Sequence, residues 1–192
     1  MIHIIMFGPP GAGKGTQAGL LKDKFNLAYI ATGDLFRHHI KNETELGKLA
    51  KSYIDKGDLV PDEVTIRMLR NEIDKNKGVK GIIFDGFPRT TRQSEALENF
   101  LREQGENIDA VFALEVPDDV LVERILNRGK TSGRSDDTDK QTVINRLKKY
   151  KEVTRPLKDF YLKKGVLHVI NGLQSIDDVH REIAGVVNSL LK

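Results

Sequence analysis

The 192-residue chain contains no cysteine and no tryptophan. Without cysteine it forms no disulfide, carries no nucleophilic thiol and binds no zinc through thiolates, a composition that suits a reducing, cytoplasmic compartment. Aromatic residues make up only 6% of the chain, too few for the stacking platforms that hold single-stranded nucleic acid. A strong charge of one sign is missing as well, since 31 Lys and Arg stand against 28 Asp and Glu for a net +3. That mildly basic balance, with a pI near 9.0, does not argue for a nucleic-acid partner. No apolar run approaches the roughly 18 residues of a membrane helix. The stretch Met1-Ile2-His3-Ile4-Ile5-Met6-Phe7 is short and ends at glycine. It also lacks a basic leader and a small-residue cleavage site, so it is not expected to be a signal peptide. Neither a repeat of 20–50 residues nor a low-complexity tract is present.

What the chain does have is an ordinary globular balance: 39% hydrophobic and 31% charged residues, with a mean hydropathy of −0.40. At this length about 70% of the extended surface can be buried, so one domain is expected without a covalent or metal staple. Short apolar runs at 2–7, 27–31, 81–84, 110–116 and 166–170 are bounded by Gly, Pro, Asp or Asn. They are nearly continuous in apolar character, as buried parallel strands are. Between and after them, 15–25, 34–42, 45–56, 62–76, 91–104, 118–128, 140–162 and 175–191 carry helical patterning. Ser175 with Asp178 resembles a capping box, and Pro61 and Pro117 sit where a first helical position favours proline. This β-α-β rhythm predicts an α/β fold of three layers, α/β/α, around a five-stranded parallel sheet. Two segments interrupt it: residues 32–60 insert two polar helices between the second and third strands, and 129–137 contain no apolar residue.

The strongest chemical signal is Gly8-Pro9-Pro10-Gly11-Ala12-Gly13-Lys14-Gly15-Thr16, directly after the first strand and opening the first helix. That context defines a P-loop. Glycine is required because backbone N–H groups close around phosphate oxygens, the helix N-terminus adds its dipole, and Lys14 supplies a point charge for the β- and γ-phosphates. One departure stands out: Gly15 follows the lysine where a Ser or Thr usually supplies a hydroxyl for Mg²⁺, and Thr16 comes one place later. A second signal ends the third strand, Asp85-Gly86-Phe87-Pro88-Arg89. Alone, an Asp-Gly pair also suits a hairpin turn; beside a P-loop, Asp85 is read as holding Mg²⁺ through water.

At this point the chain resembles the adenylate kinases, nucleoside monophosphate kinases of the short-lid type, along nearly its full length. Four blocks carry the likeness: Gly8–Thr16; Ala31-Thr32-Gly33-Asp34-Leu35-Phe36-Arg37; Asp85–Arg89 with Gln93; and the series Arg124, Arg128, Arg134 and Arg146. The resemblance implies reversible transfer of the ATP γ-phosphoryl group to AMP, giving two ADP, with Mg²⁺ as cofactor and a monomer as the working unit. It implies that Gly11, Ala12, Gly13, Lys14, Gly15 and Thr16 bind the ATP phosphates, with Arg124, Arg128, Gly172 and Gln174 around the rest of ATP. It likewise assigns Thr32, Arg37, Asp58, Leu59, Val60, Gly86, Phe87, Pro88, Arg89 and Gln93 to the AMP site. Arg134 and Arg146 would bridge both nucleotides. Lys14, Arg89, Arg128, Arg134 and Arg146 would be the catalytic cations, residues 31–60 an AMP-binding insertion, and 128–137 a lid too short and too cysteine-free for a zinc site. Planar guanidinium forks suit this chemistry, in which charge builds on phosphoryl oxygens and the protein supplies no covalent step.

The base preference is expected to rest on Thr32 and Gln93. The Thr32 hydroxyl can pair with a base edge, and Gln93 lies one helical turn after Arg89. Its amide offers a donor and an acceptor together, the complement of adenine, whereas guanine presents O6 where adenine has N6–H₂. Turning the amide over would relieve part of that clash. The alternative reading has Thr32 capping a helix and Gln93 solvated. A kinase for UMP or CMP is the nearest rival, and a P-loop switch protein is a rival of another class. Guanine-selective switches carry an Asn-Lys-x-Asp motif, to which only Asn76-Lys77-Gly78-Val79 comes near.

Overall fold

The computed structural model describes residues 1–76 and 78–192; Lys77, inside the segment just mentioned, lies outside them. Five strands, β1 (Ile2–Phe7), β2 (Ala28–Ala31), β3 (Gly81–Asp85), β4 (Ala110–Glu115) and β5 (Leu167–Asn171), form one sheet in the order β2-β3-β1-β4-β5. All pairings are parallel, with Ile4 opposite Ile83 on one side and Ala110 on the other. The central strand is buried along its whole length, which explains why its sequence is apolar without alternation.

The helices are α1 (Lys14–Phe25), α2 (Thr32–Lys41), α3 (Glu45–Ile54), α4 (Asp62–Lys75), α5 (Thr91–Glu103), α6 (Asp118–Ser132), α7 (Lys140–Lys149), α8 (Leu157–Lys163) and α9 (Ile176–Leu190). Alternate residues of β1 feed opposite faces. Ile4 and Met6 pack with Leu21, Ile125, Leu147 and Ile183 from α1, α6, α7 and α9. Ile5 and Phe7 pack with Leu69, Leu97 and Tyr161 from α4, α5 and α8. The predicted three layers follow from this period-two division. A third, separate cluster of Phe36, Ala50, Val60 and Met68 holds the inserted helices together away from the sheet.

Helix boundaries show where local chemistry ruled and where it did not. Ser175 accepts from the Asp178 N–H at 3.1 Å, as its capping pattern predicts. Pro61 and Pro117 stand at the N-cap, one place before the expected first helical position. The predicted 118–128 helix continues to Ser132, so the first residues assigned to a polar loop are its last turn, ended by Gly133 at φ 66°. The predicted single helix 140–162 is three pieces, with a π-helical turn at Tyr150–Thr154 and a new start after Pro156. Proline has no N–H to donate to the preceding turn, which accounts for the break.

Candidate active site

The chain leaves β1 toward β2 and β3 on one side and later reaches β4 and β5 on the other. The crevice at the carboxyl end of such a switch point is where α/β sheets bind ligands. The P-loop turns there. Gly8 has φ 138°, and a Cβ on it would lie 2.7 Å from the Leu114 carbonyl oxygen, so the loop crosses β4 too closely for a side chain. Lys14 opens α1 and donates from Nζ to the Pro9 carbonyl at 2.9 Å, across the loop. Burial lowers its pKa to about 8, and Arg89, Arg128 and Arg146 push in the same direction against Asp85.

The turn after β3 is equally constrained. Gly86 has φ 73°, and a Cβ there would meet Arg89 Nη2 and Thr32 Oγ1 at 2.9 Å each. Thr32 donates to the Gly86 carbonyl at 2.9 Å, and Arg89 Nε donates to the same oxygen at 2.8 Å. Asp85 accepts from the Tyr29 hydroxyl at 3.0 Å. Gln93 is 2% exposed. Its Oε1 accepts from the Arg89 backbone N–H at 2.8 Å, and its Nε2 donates to Asp62 Oδ1 at 2.7 Å.

The arginine series divides by partner. Arg124 reaches the Gly172 carbonyl through both terminal nitrogens at 3.2 Å, tying α6 to the loop after β5. Arg128 donates to both oxygens of Asp137, at 2.6 and 2.9 Å. Arg146 donates to Asp137 Oδ1 at 2.6 Å and lies 3.0 Å from Asp136 Oδ2. Asp34 faces Arg37 at 2.5 Å and Arg134 at 3.4 Å. Burial lowers the pKa of Arg89, as does its neighbour Arg146.

These groups surround one cleft of about 650 Å³. Every site residue named from the sequence lines it: the loop Gly11–Thr16; the acceptor-side Thr32, Arg37, Asp58, Leu59, Val60 and Gly86 to Arg89 with Gln93; the arginines 124, 128, 134 and 146; Asp85, Gly172 and Gln174. Residues of the 128–137 segment and of the inserted arm meet over it, with Ser135 donating to Asp55 at 2.8 Å and Arg134 facing Asp34. From α7, Asn145 donates to the Lys56 carbonyl at 2.6 Å. Sequence reasoning missed Asp34, Asp62, Tyr29, Asp136 and Asp137. The acidic pair between Arg134 and Arg146 was a usable signal; Asp62 and Tyr29 carried none, because their partners lie 31 and 56 residues away.

Among the described residues no group of three or more His, Asp or Glu could hold a metal ion. A lone carboxylate beside the P-loop fits a cation that arrives on a nucleotide, since Mg²⁺ is usually held by one or two carboxylates plus substrate phosphates.

A phosphate loop at the switch point of a parallel sheet, facing a second basic pocket across a single cleft, defines a P-loop phosphotransferase of nucleotides. The family model described as adenylate kinase matches residues 6–166. The adenylate kinase of Flavobacterium psychrophilum is 53% identical over 190 residues, covering 99% of this chain and all of that protein. That of Bacteroides fragilis is 45% identical with the same coverage. That of a Synechococcus strain is 48% identical over 187 residues, 97% of this chain and 96% of that protein. The chain belongs to the adenylate kinase family.

Proposed function

We propose that the cleft carries out the reversible transfer of the ATP γ-phosphoryl group to AMP, giving two ADP, with each nucleotide bound as the sequence assigns it. The carrying observation is the crowding of cations: Lys14 shares its surroundings with Arg89, Arg128 and Arg146, each of which disfavours its charge. Such crowding is costly in the free protein and is relieved by a pair of polyanionic ligands.

Gly11–Thr16 cradle the ATP phosphates with Arg124 and Arg128, while Arg37, Arg89, Arg134 and Arg146 receive the phosphate of AMP and the group in transfer. Asp85, through water, would hold Mg²⁺, whose chemistry when bound is to neutralise charge on the phosphates. Closure of 128–137 over the nucleotides excludes water that would hydrolyse ATP, as the handoff of a phosphoryl group requires. The contacts of Ser135 with Asp55 and Arg134 with Asp34 support that closure. The working unit is a cytoplasmic monomer whose partners are ATP, AMP and ADP, not nucleic acid or a membrane. Among the described residues no helix is long and apolar enough to cross a membrane.

Incubation with ATP and Mg²⁺ and, in turn, AMP, UMP, CMP and GMP tests the assignment. AMP should lead by at least about tenfold, a modest share of what polar recognition can supply. Equal rates with UMP or CMP would move the chain to the pyrimidine-kinase reading.

A further inference from the structure

Gln93 can read a base only if its two amide ends are distinguishable, and the structure makes them so. The Arg89 backbone N–H that meets Oε1 can only donate. The Asp62 carboxylate that meets Nε2 accepts. A reversed amide would set oxygen against carboxylate and NH₂ against N–H, losing both hydrogen bonds and adding two repulsions. Asp62 is itself held. Its Oδ2 accepts from the Thr90 hydroxyl at 2.8 Å, and that hydroxyl in turn accepts the Gln93 N–H at 3.1 Å, the N-cap bond of α5. The ring Gln93–Thr90–Asp62–Gln93 is therefore closed, and each member has one role.

We propose that Asp62 is a positioning residue for base choice, holding the Gln93 amide in one orientation and so excluding guanine from the acceptor site. The inference rests on the AMP reading given above. With one N–H and one lone pair spent internally, Gln93 keeps one of each for a base. On its pairing edge adenine offers the N6–H donor beside the N1 acceptor; guanine offers the reverse, O6 beside N1–H. A glutamine free to turn over serves both purines, and a locked one serves a single purine. Asp62 is not among the residues lining the cleft, so it acts through Gln93 and not on the ligand.

Asp62→Asn is the test, because a carboxamide turned one way accepts from Gln93 Nε2 and turned the other donates to Gln93 Oε1, which removes the carboxylate's half of the lock and leaves the Arg89 N–H as the other half. The ratio of kcat/KM for AMP to that for GMP should fall about threefold or more, mainly through the KM for GMP, with kcat for AMP and Tm little changed, since the Arg89 N–H still favours one orientation. An unchanged ratio overturns the proposal, as does an equal loss with both purines, the outcome of a merely structural role. If Asp62→Asn does not fold, Thr90→Val unties Oδ2 together with the N-cap bond of α5 and should narrow the ratio by a smaller factor; no narrowing overturns the proposal. Gln93→Ala separates the two levels: if it leaves the ratio intact, Gln93 does not read the base and the acceptor-site assignment fails with it. If it narrows the ratio while Asp62→Asn does not, only the lock fails.

Discussion

Replacing Asp137 by alanine should weaken both the fold and the catalysis. Its side chain is completely buried and receives three guanidinium hydrogen bonds, two from Arg128 and one from Arg146. Hydrogen bonds to charged groups are worth about 1.5–3 kcal/mol each. The arginines are 35% and 18% exposed, so they recover part of this from water, and about 2–4 kcal/mol is the expected net loss. For a chain of this size that corresponds to a Tm lower by about 5–15 °C. The pH dependence carries a sign. Burial pushes the Asp137 carboxyl up, but the hydrogen bonds from Arg128 and Arg146 outweigh it and hold the group below its ordinary 3.8. A carboxyl depressed in the folded state contributes stability that is present above the unfolded value and is lost as pH falls through the folded one. Wild type and variant should therefore differ most near pH 7 and converge below about pH 4, around the reference carboxylate pKa. Thermal unfolding by circular dichroism measures both. With Arg128 and Arg146 released, kcat should drop about 10²-fold, the scale of an ångström-level misplacement. A Tm within 1 °C of wild type at pH 7, or a gap that stays constant into acid, would refute the clamp; the latter outcome would place its strength in packing.

Lys14→Ala and Arg89→Ala should each fold and lose about 10³-fold or more of phosphotransfer, since each removes a cation from the phosphates; near-normal turnover in coupled assay would sink the assignment. Because burial and three arginines bring Lys14 to about 8, the free protein sheds that proton above pH 8. ATP affinity measured by calorimetry should then weaken from pH 7 to 9, and wild type should gain stability relative to Lys14→Ala as pH rises from about 8 toward the reference lysine pKa of about 10.4. Tyr161→Phe should cost about 1–3 kcal/mol in urea unfolding with turnover unchanged, because it leaves the fully buried Ser94 hydroxyl, now 2.6 Å from the Tyr161 oxygen, without a partner.

The strands, the phosphate loop and many of the residues that line the cleft were legible because their causes are local. A buried parallel strand must be apolar on both faces, a backbone that wraps phosphate must be glycine-rich, and Ser175 caps a helix wherever its chain neighbours begin one. Less local outcomes were misread. The extension of α6 to Ser132 places Gly129 where a Cβ would lie 2.5 Å from the Asp137 carbonyl, so this turn is formed against a segment eight residues further on. The division at Tyr150–Thr154 was hidden because the apolar spacing continues on either side of Pro156, with Val143, Leu147, Leu157 and Tyr161 all buried.

What the sequence by itself determined is the set of groups in the cleft: one lysine on a glycine loop, a carboxylate ending a strand, and a spaced series of arginines. Those are properties of residue type and short-range spacing, and they survive any detail of packing. Only the tertiary structure decided the state of those groups. Asp62 and Gln93 sit on different helices, and their partnership exists because α4 and α5 flank the same strand. Lys14 is an ordinary lysine until burial beside three arginines, brought from the turn after β3 and from α6 and α7, lowers its proton affinity. Hydrogen-bond direction and electrostatic field depend on distances of a few ångströms between chain-distant atoms, and folding alone sets those distances.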